Sequence, residues 1–261
     1  MTDMRLPRHA TPLSLPAEPP REALARDEAL LDQVQSGGPH LERWYVAASP
    51  AVVLGLGLRR RVAEVVDLAR CAAAGVEVLH RRAGGGAVLV DRDSMLCGAI
   101  CVPLPHPLLG DDLTASYRWL GEHLSARLAG LGVQGARRVE VDEARADVAA
   151  LKTQDDAVSR LLLTTCYGAL SPHEVVVGAA KLVGLAQVRR RHAALFQFGI
   201  LLADQSPLAD FVFVRDEPTR EAVRAELRRR TVGVAQLRHA LLDMLTLVEQ
   251  LRVSASLRSL P

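Results

Sequence analysis

Lysine is scarce in this chain of 261 residues. Only Lys152 and Lys181 are lysines among 32 basic side chains, and all the others are arginines. Arginine keeps its charge in almost any setting, whereas the compact lysine ammonium responds readily to burial. Because the chain otherwise uses arginine for positive charge, we examine both lysines for a chemical role.

Aromatic residues are also scarce, and the charges of the two signs nearly balance. Aromatic side chains make up 3% of the sequence, too few to stack single-stranded nucleic acid, and a net charge of +2 gives little attraction for a polyanion. No apolar run approaches the roughly 18 residues of a membrane helix, and no signal-peptide pattern is visible. We therefore expect a cytoplasmic protein that has neither nucleic acid nor a membrane as a partner.

The sequence has four cysteines, too few and too scattered to predict a disulfide framework in a chain of this size. Cys97 and Cys101 lie in one apolar strand-like run, residues 94–103, with no second pair of metal ligands at similar spacing. We predict no metal site, and we interpret these two cysteines as thiols of the hydrophobic core.

The pattern of the chain predicts one domain preceded by a tail. Residues 1–20 contain five prolines, which predicts a flexible tail, and residues 21–261 are expected to form one domain without a separate accessory domain. Strand and helix patterns alternate irregularly, which favours the α+β class over a regular parallel array, and residues 142–160 fit neither pattern clearly. The predicted strands cover 41–47, 51–57, 76–81, 87–91, 94–103 and 193–203, with a hairpin over 173–191 that turns near Gly178; the predicted helices cover 21–35, 61–75, 111–132, 218–230 and 233–251.

Three consecutive glycines, Gly84, Gly85 and Gly86, separate two predicted strands and follow Arg81. Glycine lets a ligand approach the main chain, whose N–H groups can then bind a carboxylate or phosphate, and an arginine can add bidentate charge. A tight hairpin in a glycine-rich protein explains the same residues. The segment is neither a Walker loop nor a dinucleotide fingerprint, because no Gly-Lys-Ser/Thr follows it and the next element is a strand.

Lys181 stands in a predicted strand that is otherwise apolar, and the small residues Gly184 and Ala186 follow it. A buried lysine is costly unless it is paired, and such groups are enriched at functional sites, although structural ion pairs produce the same pattern. The small residues leave room for a ligand against the strand. Lys152 has polar neighbours and is interpreted as ordinary surface.

Cys166 follows an apolar stretch and precedes a loop that contains Gly168 and Pro172. A buried structural cysteine is one interpretation, and a nucleophile is the other. A nucleophilic cysteine needs a cation or a base nearby to favour its thiolate. Lys181 comes 15 residues later, across a predicted strand–loop–strand, and His173 is a competing base.

Three motifs in this order resemble the family of lipoate–protein ligase A, the lipoyl-pathway octanoyltransferases and biotin ligase, over residues 21–205. They are the strand pair from Leu41 to Gly57, R-x-x-G-G-G-x-V-x-x-D from Arg81 to Asp91, and K-x-x-G-x-A-Q from Lys181 to Gln187. The segment C-Y-x-x-x-S-x-x-E from Cys166 to Glu174 is similar to one that precedes the lysine motif in one branch of the octanoyltransferases. The resemblance implies a single biotin/lipoate-ligase-like catalytic domain, with mixed, mostly antiparallel sheets flanked by helices. It also implies a transferase that needs no cofactor.

The resemblance further implies an acyl chain bound beside the glycine turn. In this hypothesis Cys166 takes an octanoyl or lipoyl group from the thioester of an acyl carrier protein and passes it to a lysine of a lipoyl-domain protein. Lys181 would stabilise the thiolate, and N–H groups near Gly184 or the glycine turn would hold the oxyanion. The implied catalytic residues are Cys166 and Lys181; the implied acyl-binding residues are Arg81, Gly84, Gly85, Gly86, Val88, Gly184, Ala186 and Gln187.

Two alternatives stay open at the level of the sequence. Ala83 and Val90 stand where the family usually has Ser/Thr and His. These replacements weaken the case for an ATP-dependent lipoate–protein ligase, and they also allow a diverged, catalytically silent relative that binds acyl groups or lipoyl domains. The arginine triplets 59–61, 189–191 and 228–230 could steer acidic partners, although solvated surface explains such runs equally well.

Overall fold

The computed structural model describes residues 15–237 and 244–252. Its strands are β1 (Ala17–Glu18), β2 (Leu41–Ala47), β3 (Ala51–Leu54), β4 (Glu77–His80), β5 (Val88–Val90), β6 (Met95–Pro103), β7 (Ala136–Arg138), β8 (Val175–Val177), β9 (Ala180–Arg189) and β10 (Ala193–Leu201). Its α-helices are α1 (Pro20–Gln35), α2 (Val62–Val65), α3 (Leu68–Ala73), α4 (Arg118–Gly130), α5 (Val141–Gln154), α6 (Ala157–Thr164), α7 (Glu217–Arg230), α8 (Val234–Leu237) and α9 (Met244–Leu251).

Two sheets organise these elements. Within the described residues, the larger sheet has seven strands in the order β1-β2-β6-β10-β9-β8-β7, and the smaller has three in the order β4-β3-β5. Most neighbouring strands are antiparallel; β1 with β2 and β3 with β4 are the parallel pairs. The predicted α+β class with mixed, mostly antiparallel sheets is therefore confirmed.

The long strands of the large sheet are covered on both faces, because successive side chains of a strand point to opposite sides. On one face, Leu31 and Val34 of α1 pack in a cluster with Leu195 of β10. On the other face, the ring of Phe196 meets Trp119 of α4 edge-on, with ring centroids 5.4 Å apart. A strand buried on both faces reads as a nearly continuous apolar run, which is what β6 and β10 show.

A second core joins the small sheet to the C-terminal helices. Leu54 of β3 and Leu89 of β5 pack in one cluster with Leu162 of α6 and Leu227 of α7. Ala87, just before β5, pairs with Thr165, just after α6, so the glycine turn and the segment that carries Cys166 lie side by side.

Four local predictions need correction or completion. The predicted tail is wrong for residues 17–20, because β1 pairs with β2 and Pro20 begins α1. The fixed φ and missing N–H of proline suit the first turn of a helix. Residues 1–14 of the predicted tail lie outside the described part. The helix predicted over 61–75 is split, since Val66 is extended and Asp67 caps the N-terminus of α3. Residues 142–160 form α5 and the start of α6, and the helix predicted over 233–251 is present as α8 and α9 on either side of residues outside the described part.

Cys97 and Cys101 are buried free thiols on β6, in agreement with their interpretation as thiols of the hydrophobic core. Among residues 15–237 and 244–252, no helix has both the length and the hydropathy that crossing a bilayer would require.

Candidate active site around Cys166

An apolar cavity lies between the N-terminal half of α1, the centre of the large sheet and the small sheet. The cavity has a volume of about 60 Å³, or about 640 Å³ of empty space when its open mouth is counted, so it is narrow. Binding sites for small molecules are commonly apolar clefts with a few polar groups placed in them. The residues around it include Leu24, Val53, Val88, Met95, Phe198 and Gly199, with Cys166 and Arg81 in the same wall.

Cys166 is held in this wall by its own backbone. Its N–H donates to the carbonyl of Ala87 at 2.7 Å, and the N–H of Ala87 donates to Thr164 at 2.8 Å. The side chain is partly exposed, unlike those of Cys71, Cys97 and Cys101. Burial raises the pKa of the Cys97 thiol to about 12, so this second thiol in the cavity wall is protonated at neutral pH.

Lys181 is fully buried beneath the Cys166 segment. Its ammonium pairs with Glu174 at 2.6 Å and donates to the backbone carbonyls of Cys166 at 2.5 Å and Ala169 at 3.3 Å. An ammonium has three donors, so these three oxygens use all of them. Within the described residues, Nζ makes no hydrogen bond to the sulfur of Cys166. Sequence reasoning therefore brought the two residues together correctly, but Lys181 meets the cysteine through its carbonyl and not through its thiolate.

Glu174 completes this buried pair, and sequence reasoning gave it no role although it ends the motif that starts at Cys166. Burial raises the pKa of the Glu174 carboxyl above its ordinary value, while the charge of Lys181 and the N–H groups of Ser171 and Leu185 oppose the rise. Those N–H groups donate at 2.8 Å and 3.3 Å. The pair therefore fixes both ends of the loop from Cys166 to Glu174.

Tyr167 fills the space between this loop and the sheet. Its hydroxyl donates to the carbonyl of Gly199 at 2.6 Å and accepts from the N–H of Gly184 at 3.1 Å. A Cβ on Gly184 would lie 3.0 Å from the Tyr167 ring, so the small residue at this position makes room for tyrosine as well as for the cavity. Because its N–H is already bonded, Gly184 is not a free donor for an oxyanion.

The glycine turn packs directly against the cysteine segment. A Cβ on Gly86 would lie 2.4 Å from the carbonyl oxygen of Thr164 and 2.7 Å from the nitrogen of Cys166, so only glycine fits there. We find no hydrogen bond donated by the N–H groups of Gly84, Gly85 or Gly86 to any other described residue. Of the two places predicted to hold an oxyanion, the structure leaves this turn available.

Arg81 reaches the sulfur of Cys166 from the start of the same turn. Its Nη2 lies 3.5 Å from Sγ, and its Nε and Nη2 both donate to the carbonyl of Gly84, at 3.1 Å and 2.9 Å. Sequence reasoning assigned Arg81 to acyl binding, and the structure does place it in the cavity wall.

The other predicted site residues separate into two groups. Val88, Gly184 and Ala186 line the cavity, whereas Gln187 does not, and its Oε1 accepts from Ser116 at 3.1 Å. Gly84 and Gly85 border a neighbouring depression with Tyr117 and Pro172.

His173, the competing base, is also directed elsewhere. Its Nδ1 lies 2.7 Å from Arg138, and burial together with that charge lowers the pKa of the imidazole.

A polar cluster in the cavity wall was missed. Asp27 is buried on the apolar stripe of α1, where it forms a short ion pair with Arg43 and accepts from Tyr45 at 3.0 Å and from Gln197 at 2.8 Å. Burial raises the pKa of the Asp27 carboxyl, although these donors oppose the rise. The sequence could have indicated this cluster, because Asp27 lies at helical spacing from the apolar residues Ala23 and Leu31. A charged side chain on a buried helix face requires a partner.

The fold therefore places one partly exposed cysteine, Cys166, in the wall of an apolar cavity. The family described as the lipoyl protein ligase A/B catalytic domain matches residues 19–254. The chain belongs to this family, and the resemblance found in its motifs is confirmed.

Two curated relatives are similar to this chain over most of its length. The chain is 31% identical over 215 residues to octanoyltransferase LipM of Carboxydothermus hydrogenoformans, covering 82% of this chain and 72% of that protein. It is 29% identical over 216 residues to octanoyltransferase LipM of Macrococcus caseolyticus, covering 82% and 74%.

Solved structures show the same fold. The bipartite lipoate protein ligase of Thermoplasma acidophilum matches with a TM-score of 0.69 and 23% identity, covering 91% of this chain and 78% of that one. A lipoate-protein ligase A bound with ATP matches with a TM-score of 0.63 and 23% identity, covering 90% and 81%. At these identities the likeness concerns the fold alone.

Proposed function

We propose that this chain is an octanoyltransferase that carries the acyl group on Cys166. The observation that supports this most directly is a partly exposed cysteine set in the wall of a narrow apolar cavity, with its backbone fixed by a buried ion pair. The relatives that cover most of the chain are named octanoyltransferases, which supports the same activity. The proposed donor is the octanoyl thioester of an acyl carrier protein, and the proposed acceptor is a lysine of a lipoyl domain.

The reaction then consists of two exchanges at one carbonyl carbon. The Cys166 thiolate attacks the donor thioester; the new S–C bond forms, the donor C–S bond breaks, and the donor thiolate leaves and takes up a proton from solvent. The neutral amine of the acceptor lysine next attacks the acyl-cysteine; an N–C bond forms, the C–S bond to Cys166 breaks, and the amine gives up a proton. Exchange between thioesters is nearly isoenergetic, so orientation and an activated nucleophile are sufficient.

Each group of the site has a proposed part in these exchanges. The cavity holds the acyl chain along Val88, Gly184 and Ala186. The N–H groups of Gly85 and Gly86 face the oxyanion that forms at the carbonyl. Lys181 acts as a positioning residue, since it holds the carbonyl of Cys166 and, through Glu174, the far end of the loop.

The site favours transfer over ATP-dependent ligation. Ala83 is fully buried, and Val90 lines the cavity, so neither position offers a hydroxyl or imidazole to a phosphate group. A ligase would also not require a partly exposed cysteine in the wall of its acyl cavity.

Intact-mass spectrometry with octanoyl-acyl carrier protein tests the proposal. We expect the full chain to gain the mass of one octanoyl group, without ATP, and to lose that group when a lipoyl domain is added. Cys166→Ser is expected to abolish the adduct because serine is a far weaker nucleophile at neutral pH. Cys71→Ala is the matched control, since it removes a buried thiol of the second core that does not line the cavity and should leave the adduct in place.

The outcomes separate the alternatives. An adduct that survives Cys166→Ser, or no adduct under conditions where a known octanoyltransferase reacts, contradicts transfer through Cys166. Modification of the lipoyl domain that requires ATP and free octanoate would instead identify a ligase.

A further inference from the structure

Two cations lie within reach of Cys166, and they meet different atoms of it. All three donors of Lys181 are directed at oxygen atoms, one of them the backbone carbonyl of Cys166. Nη2 of Arg81, by contrast, lies 3.5 Å from Sγ. Among the described residues, Arg81 is therefore the cation whose N–H reaches the reacting sulfur.

The guanidinium of Arg81 is held in place by its own turn. Two of its N–H groups converge on the carbonyl of Gly84, and its backbone N–H donates to Leu54 at 2.9 Å. A planar guanidinium anchored in this way loses little freedom when it makes a further contact. Arg81 therefore approaches the sulfur as a preorganised group.

Gly85 provides the space for this contact. Its φ is +100°, a conformation that favours glycine, and a Cβ there would lie 2.5 Å from Nη2 of Arg81 and 3.7 Å from Sγ of Cys166. Any side chain at this position would push the guanidinium away from the sulfur. The middle glycine of the turn thus makes room for an arginine–cysteine contact.

We propose that Arg81 is a catalytic residue that holds Cys166 as the thiolate, and that Lys181 is not the group that does so. A neighbouring cation stabilises a thiolate, which is the reactive form of cysteine. A guanidinium does not give up its proton in proteins, so the proton of Cys166 leaves to solvent and Arg81 stays charged through both exchanges. If Cys166 carries the acyl group as proposed above, the same charge also favours its release as a thiolate when the acceptor amine attacks.

The pH dependence of Cys166 alkylation by iodoacetamide tests this without any acyl donor. Iodoacetamide is uncharged, so removing a nearby cation does not change its attraction to the site. In Arg81→Met we expect the pH at which alkylation reaches half its maximal rate to rise by about one unit, so that alkylation at neutral pH becomes slower while the maximal rate at high pH is unchanged. Peptide mapping assigns the modification to Cys166.

Matched variants make the result decisive. Arg82→Met changes the adjacent, exposed arginine, which pairs with Glu28 at 2.9 Å, and should leave the midpoint unchanged. Arg81→Lys keeps the charge but loses the two hydrogen bonds that converge on the carbonyl of Gly84. Its midpoint should lie between those of the parent chain and Arg81→Met. An unchanged midpoint in Arg81→Met, or an equal rise in the double variant Lys181→Met with Glu174→Gln, would overturn the proposal.

The two proposals fail in distinguishable ways. If the Arg81→Met midpoint rises while the full chain never gains an octanoyl group, the thiolate assignment stands and the acyl transfer does not. If the octanoyl adduct forms on Cys166 and the midpoint does not move, the transfer stands and the role of Arg81 does not.

Discussion

Two buried ion clusters lie next to this site, and they are built differently. In the first, Lys181 has one carboxylate partner among the described residues, Glu174, and two backbone carbonyls accept its other N–H groups. In the second, Arg43 bridges two carboxylates, Asp27 and Glu18, and Asp27 has two further donors. The first cluster depends on one ionic contact. In the second cluster, Arg43 and Asp27 each take part in more than one contact.

This difference has a consequence for stability and for function. Removing one member of an isolated buried pair leaves an uncompensated charge, while a bridged cluster can redistribute its contacts. The isolated pair anchors the loop that carries Cys166. The bridged cluster contributes Asp27 to the wall of the apolar cavity.

The largest effect is expected for Lys181→Met. It leaves Glu174 buried without its cation, so we expect a loss of about 3–5 kcal/mol in the free energy of unfolding, measured by denaturant titration. Lys152→Met, in the exposed last turn of α5, should stay within about 0.5 kcal/mol of the parent chain.

A double variant separates charge from packing in the same pair. Combining Lys181→Met with Glu174→Gln leaves no unpaired charge and should recover a large part of the lost stability. If the double variant is no more stable than Lys181→Met, the lost packing of the lysine stem, and not the orphaned carboxylate, dominates.

A smaller effect is expected for Asp27→Asn. Arg43 keeps Glu18 at 2.5 Å, and an asparagine oxygen can still accept a hydrogen bond, so we expect a loss of about 1–3 kcal/mol. The same denaturant titration measures it. If Asp27→Asn loses as much stability as Lys181→Met, the remaining contacts of the bridged cluster do not compensate for the lost one. The two clusters would then not differ in the way described above.

The smallest effect is expected at an exposed pair, Glu143 with Arg137, at 2.6 Å. The hydrogen bond from Arg137 holds the pKa of Glu143 below its ordinary value of 4.5. The pair therefore contributes stability above that value, and the contribution is lost as the pH falls through the lowered pKa.

Glu143→Gln should therefore cost at most about 1 kcal/mol at neutral pH, and the difference from the parent chain should vanish in acid. Unfolding titrations at several pH values measure this. A difference that grows as the pH falls would contradict the assigned direction of the pKa shift.

Much of the fold was predictable, because strand alternation and helical spacing are local properties of the sequence. The hairpin turning at Gly178 and the strands β2, β6 and β10 follow their predicted bounds closely. The split near Val66 was not predictable in this way. Val66 leaves the helical conformation to pair with Val212, a contact with a residue far along the chain.

The sequence by itself determined the family, the apolar strands around Lys181 and the nearness of that lysine to Cys166, since motif order and short spacing are properties of the chain. Only the tertiary structure decided which atom each cation meets. Arg81 and Cys166 are 85 residues apart, and they touch because the glycine turn packs against the cysteine segment. Lys181 meets a carbonyl because Glu174 and Tyr167 fix its ammonium below the loop, and no local pattern encodes that orientation.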